Sequence, residues 1–344
     1  MTLGWKGPAT SAAGPPIVAG GALWFEDWGV ARLYALHVSS GTPFGGFPIA
    51  TSGVPHFTSP SAALGLLLLG TNTGVNAYAG PGGVPPHAPN PCKTQKNHDG
   101  YWVATTDGNV FSFGGAPVCG SMAGARLTAP IIGVAGRSTP GYWLAASDGS
   151  VYSFGSALFH GSMHGHTLAK PIVGIAARPQ GDGYWLVASD GGVFNFGGAK
   201  YHGSTGGLHL NKPIVGIAST PTGNGYWLVA SDGGIFTFGD GKYRGSTGGL
   251  RLNKPVVGMA ATTFGSGYWL VAADGGIFTF GNATYKGSTG GLHLVLPIVG
   301  MTATGNASYR FVALDGGVFS FNAPFFGSAV GQVSGAYAIG IAHD

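Results

Sequence analysis

The stretch Gly183-Tyr-Trp-Leu-Val-Ala-Ser-Asp-Gly-Gly-Val-Phe-Asn-Phe-Gly197 reads as two short strands joined at Asp190-Gly191. Aromatic, β-branched and small residues fill both arms, and Asp-Gly takes up the positive φ values of a tight hairpin turn. The stretch recurs with starts at Gly100, Gly141, Gly183, Gly225, Gly267 and Ser308 and turn aspartates at Asp107, Asp148, Asp190, Asp232, Asp274 and Asp315. The spacing is about 42 residues, the length of one four-stranded propeller blade.

Two further segments complete each unit. Pro213-Ile-Val-Gly-Ile-Ala218 precedes the hairpin, and Lys200-Tyr-His-Gly-Ser204 follows it. No segment of the repeats carries the long 3.6-residue apolar period of a helical repeat. The first copy lacks its leading strand, whereas the chain ends in Ala338-Ile-Gly-Ile-Ala342, a leading strand with no hairpin after it. Pairing the two closes a ring and removes the open edges of a broken blade. The expected fold class is all-β, a six-bladed β-propeller over 100–344 closed by the C-terminal strand and preceded by one to two blades of another kind.

The 344 residues include 66 glycines, without a collagen period, and only 8% charged residues with a net charge of +4. The charge is spread along the chain, with no basic cluster or helix to make a nucleic-acid footprint. The longest aliphatic run, Leu64 to Leu69 with one glycine, is a strand and too short for a transmembrane segment. The start, Met-Thr-Leu-Gly-Trp-Lys, lacks the basic and apolar regions of a signal peptide, so the chain is cytoplasmic or its native start lies upstream; the second is expected.

Residues 1–79 follow a different pattern. Pro16 to Phe25, Ala31-Arg-Leu-Tyr-Ala-Leu-His-Val-Ser-Ser-Gly41 and Phe44 to Ile49 read as three strands, and His56 to Tyr78 starts the pattern again. The Leu-Tyr-Ala-Leu strand followed by a Gly turn resembles the pyrroloquinoline-quinone-like (PQQ-like) propeller repeat. In quinoproteins that resemblance implies an eight-bladed ring with cofactor, calcium, a catalytic Asp and often a disulfide of adjacent cysteines. None of those can be placed here: Glu26 and Asp27 are the only acidic residues of the segment, and no cysteines adjoin. It implies shape rather than quinone chemistry, and no cofactor is expected. So partial a ring is the tail of a larger propeller with blades upstream in the native gene, or packs on the second ring. The Pro/Gly-rich residues 80–99 read as a linker.

Cys92 lies in that linker and Cys119 in the outer strand of the first copy. A disulfide between them would secure the ring in a secreted protein; two unrelated buried thiols are the alternative.

The repeats offer their own comparison. Trp102, Trp143, Trp185, Trp227 and Trp269 form a row broken by Arg310, and rings at one strand position fill the space between blades. Tyr142, Tyr184, Tyr226, Tyr268 and Tyr309 point to the other face and are candidates for ligand contact. His160 and His202 share a position with Arg244, Lys286, Phe326 and Cys119, and His209 and His293 alternate with Arg251. A metal site does not exchange imidazole for Arg or Lys, so these rows read as a basic, hydrogen-bonding rim. The Asp-Gly row is turn chemistry rather than a calcium ring. The Gly-Ser-Thr-Gly-Gly segments open no helix, lack the Lys-Ser/Thr of a phosphate loop, and are turns. No nucleophile elbow or carboxylate pair stands out, and no catalytic residue is assigned.

The tandem Gly-Tyr-Trp-Leu-Val-Ala-Ser-Asp-Gly-Gly units resemble repeats of large secreted or surface proteins of high-GC Gram-positive bacteria. The resemblance implies an extracellular modular protein and brings no catalytic residues. The expected function is a non-enzymatic recognition or scaffold module that binds polysaccharide, cell-wall polymer or a surface protein through repeated rim contacts. The alternatives are a fragment of a propeller enzyme with a central-channel site and a self-assembling structural subunit.

Overall fold

The computed structural model describes residues 17–19, 22–27, 32–37, 43–48, 61–63, 66–71, 74–79, 92, 99–137, 140–333 and 335–344. The chain divides into two compact units, Met1–Ala88 and Pro89–Asp344. Of the stretch 80–99, only Cys92 and Asp99 are among the described residues.

In the first unit, Ile17–Ala19, Ala22–Asp27, Arg32–His37 and Pro43–Pro48 form a four-stranded antiparallel sheet, and Ser61–Ala63, Leu66–Thr71 and Gly74–Ala79 a three-stranded one. The single strand expected over Pro16 to Phe25 is two, with Ala19 paired to Ala22. The restart expected from His56 is described from Ser61 onward.

The second unit is a β-propeller of six three-stranded antiparallel sheets. The third blade is typical: inner strand Ile172–Ala177, middle strand Gly183–Ala188 and third strand Val193–Gly197. The second, fourth, fifth and sixth have inner strands Ile131–Gly136, Ile214–Ser219, Val256–Ala261 and Ile298–Ala303. The first takes its inner strand from the end of the chain: Ala338–His343 pairs with Gly100–Thr105, Ile341 opposite Val103 and Ala342 opposite Trp102. Each inner strand neighbours the next, and Ala338–His343 neighbours those of both the sixth and second blades, so the ring is closed.

The core lies between the blades. Every middle strand is buried on both faces along its whole length, as a strand sandwiched between two neighbouring sheets must be. Trp185 and Val187 of the third blade pack with Tyr226 and Leu228 of the fourth, and the same pairing of rows recurs around the ring. Near the axis, a glycine on each inner strand lets the strands converge. A Cβ on Gly174 would sit 3.1 Å from Val187 and 3.4 Å from Ile217 of the next blade.

Two local expectations are corrected. The hairpin turn is not a two-residue Asp-Gly turn. Ala188 donates to the Gly192 carbonyl and Gly191 to that of Ala188, with positive φ at Gly191 alone, which makes a type I turn closed by a glycine bulge. Secondly, the outer segment following each hairpin forms no strand. Its backbone groups are taken by side chains instead: the Lys200 carbonyl accepts from Trp185 Nε1 at 2.7 Å, and the Gly203 carbonyl accepts from the Tyr226 hydroxyl at 2.6 Å.

Candidate functional site

The tyrosine row falls on the buried side of that arrangement. Tyr142, Tyr184, Tyr226, Tyr268 and Tyr309 are at most 1% exposed, which corrects their assignment as ligand contacts. Each phenol reaches back to the preceding blade and donates to a glycine carbonyl there, with Tyr101 doing the same to Gly327 across the closure. In five of the six the phenolic oxygen also accepts the amide N–H of the residue just before that glycine. Burial pushes the phenols of Tyr142 and Tyr184 well above the ordinary tyrosine value, holding them as neutral donors. This row latches blades together.

The basic residues divide between two ends of the ring. His202, Arg244 and Lys286 stand in the outer segments, beside the loops that link inner to middle strands. His209, Arg251 and His293 lie beyond the threonines that bond the Asp-Gly turns, exposed next to Leu208, Leu250 and Leu292. The basic, hydrogen-bonding rim expected from the sequence is thus two separate sets. His202 is half-buried, its ring 5.9 Å from that of Tyr226, whereas Arg244 and Lys286 are exposed.

A tyrosine row overlooked in the sequence stands next to these basic residues. Tyr201, Tyr243 and Tyr285 are 56%, 59% and 57% exposed on three consecutive blades. Their hydroxyls meet Ser204, Ser246 and Ser288 at 3.2, 3.2 and 3.5 Å. Lys200 and His202, Lys242 and Arg244, and Thr284 and Lys286 flank them. The legible signal was a tyrosine followed by a basic residue at the same place in three consecutive copies, Tyr201-His202, Tyr243-Arg244 and Tyr285-Lys286.

The turn aspartates behave as turn residues. In all six turns the carboxylate accepts the amide N–H two residues on, at 2.9 to 3.2 Å. The Gly-Ser-Thr-Gly-Gly segments lock these turns: Thr205, Thr247 and Thr289 are buried and donate to the carbonyls of Asp190, Asp232 and Asp274. Among the described residues no group of His, Cys, Asp or Glu is arranged to hold a metal ion.

The axial channel, of about 310 Å³, is walled by the inner strands. Val134, Ile175, Met259 and their counterparts line one level, and Ala177, Ser219 and His343 are among those at its end. His343 Nδ1 lies 2.9 Å from the Gly100 carbonyl, so one ring nitrogen is already held. Among the described residues, this lining holds one imidazole and no carboxylate side chain.

Neither a protein-family model nor a curated protein matches the sequence. A solved structure titled "Crystal structure of Nidogen/Laminin Complex" is similar at 15% identity with a TM-score of 0.46, covering 71% of this chain and 97% of that one. The propeller follows from the chain's own strand pairing.

Cys92 and Cys119 form a disulfide, their Cα atoms 4.3 Å apart. It lies against the second blade, where a Cβ on Gly155 would meet both sulfurs. No described helix is long and apolar enough to cross a membrane.

Proposed function

We propose that the ring is a non-enzymatic recognition module that binds an extended polysaccharide, such as a cell-wall polymer, outside the cell. The observation that carries this reading is the set Tyr201, Tyr243 and Tyr285, presented alike on consecutive blades with hydrogen-bonding and basic neighbours. An exposed ring stacks on the apolar face of a sugar while adjacent side chains take its hydroxyls. Weak equivalent contacts on one rigid frame add through effective concentration. The Cys92–Cys119 bridge supports an oxidising compartment, as does the resemblance to secreted repeats.

The test is retention of the full chain on insoluble cell-wall polysaccharide. Changing Tyr201, Tyr243 and Tyr285 together to Ala should abolish retention, and single changes should weaken it stepwise, with melting temperature unchanged. Retention that survives the triple change, or that a protein component alone accounts for, would remove the polysaccharide reading.

A further inference from the structure

One inter-blade cleft differs from its neighbours. The loops between inner and middle strands read Arg178-Pro-Gln-Gly-Asp182, Thr220-Pro-Thr-Gly-Asn224, Thr262-Thr-Phe-Gly-Ser266 and Thr304-Gly-Asn-Ala-Ser308. At their third position Gln180, Thr222 and Asn306 are polar, whereas the fifth blade carries Phe264, which is 74% exposed. A phenyl ring left in water forgoes the stabilisation of burial, so its place on an otherwise polar loop calls for an explanation.

Between the third and fourth blades the corresponding loops are tied together. Gln180 Nε2 donates to the Thr222 carbonyl at 2.9 Å and Arg178 Nε to that of Gly223 at 3.3 Å. Between the fourth and fifth, Gly265 instead sits so close that a Cβ would lie 2.7 Å from Pro221 Cδ. Among the described residues no side-chain hydrogen bond crosses from Phe264 or its neighbours to the fourth blade's loop. A cleft of about 180 Å³ is left open, walled by Phe264, Thr222, Asp240, Lys242 and Arg244.

The chemistry of that wall is specific. Neither Lys242 nor Arg244 has an ion-pair partner among the described residues. Asp240 is held by a hydrogen bond from the Thr222 hydroxyl. Two cations against one carboxylate leave a single positive charge in the cleft. That suits one negative charge on a ligand better than the dianion of a phosphate monoester, which Asp240 would repel. Arg244 offers a planar fork for a carboxylate, Phe264 a face for a pyranose ring, and Asp240 an acceptor for its hydroxyls. The volume suits one sugar unit of a chain.

We infer that this cleft is a subsite for a hexuronate, a sugar unit bearing a carboxylate, within the polymer that the rim engages. The inference rests on the recognition reading, which it deepens by naming the class of sugar. Arg244 makes its hydrogen bond to Tyr268 through its backbone N–H, and its guanidinium has no ion-pair partner among the described residues, so the side chain can be truncated without removing that latch bond.

The experiment is calorimetric titration of the full chain with a short oligogalacturonate, with the same oligomer as its neutral methyl ester, and with glucose 6-phosphate. The acid form should bind best, more weakly as salt is added. Arg244→Ala and Phe264→Ala should each weaken it about tenfold or more, while Gln180→Ala, in the bridged cleft, should leave it unchanged. Equal binding of acid and ester, tighter binding of the phosphate, or indifference to both substitutions would overturn the hexuronate site. If polysaccharide is retained through Tyr201, Tyr243 and Tyr285 while these controls fail, the cleft inference falls and the rim reading stands. If no polysaccharide is retained at all, both fall.

Discussion

Arg310 shows how much one side chain can carry at the closure of a ring. In five blades a tryptophan donates its Nε1 to a carbonyl of its own outer segment at 2.7 to 3.0 Å and packs 5.0 to 5.8 Å from the tyrosine of the next blade. Arg310 replaces the sixth. Its Nε and Nη2 donate to the equivalent Pro324 carbonyl at 3.2 and 3.0 Å, and its guanidinium lies 4.7 Å from the centre of the Tyr101 ring. Nη2 is also 3.6 Å from the Asp99 carboxylate. The break in the tryptophan row was plain in the sequence, but not that a guanidinium mimics both the donor and the stacking face of an indole. Burial pulls the Arg310 guanidinium below its ordinary value, Asp99 opposing, and Nη1 is buried without a partner. Arg310→Ala should therefore lower stability by about 2–4 kcal/mol through the cavity and the lost bonds. Arg310→Trp, which restores the row, should lie within about 1.5 kcal/mol of the parent. Urea denaturation measures both, and an Ala variant as stable as the parent would show that the seam does not depend on this residue.

At the scale of elements, the outer segment exchanges a strand ladder for side-chain bonds. Its residues alternate between a carbonyl that receives the blade's own tryptophan and a glycine that receives the next blade's tyrosine. That glycine is obligatory: at Gly203 φ is 127°, and a Cβ would lie 2.7 Å from Phe238. The hairpins and their turns were legible because strand composition and Asp-Gly are local signals. The outer segment was misread as a strand because Tyr201 has strand-like chemistry and its real partners lie in other parts of the repeat. The outer tyrosine row was overlooked and the latch row taken for ligand contacts for the same reason: the side a residue faces depends on which neighbour claims its hydroxyl. Tyr226→Phe keeps the ring but leaves the Gly203 carbonyl and the His202 amide without their partner, and should cost about 1–3 kcal/mol. Tyr243→Phe, on the exposed row, should change stability by less than about 0.5 kcal/mol. Guanidinium denaturation of the pair distinguishes latch from rim, and equal losses would refute the distinction.

For the whole molecule, the ring was legible from two facts that match, a first hairpin without its inner strand and a last strand without its hairpin. Ala338–His343 fills that place with the same bulged register as the other inner strands. The Tyr337 carbonyl accepts from the Thr106 amide at 2.8 Å, extending the join. The Phe264 cleft was not legible, because it arises from two loops of adjacent blades whose sequences differ only modestly. Removal of Tyr337–Asp344 should abolish the cooperative melt and yield self-association through the open edge of Gly100–Thr105. Size-exclusion chromatography and thermal denaturation of the shortened chain test this, and a monomer with the parent's melting profile would mean that the ring does not need its clasp.

That clasp also sets an order of events during biosynthesis. The first propeller hairpin to emerge from the ribosome waits until all the other blades have been translated, since its inner strand is Ala338–His343. Until that strand emerges, the nascent propeller is an arc with bare margins at both extremities, and its arrival closes the ring in a single step.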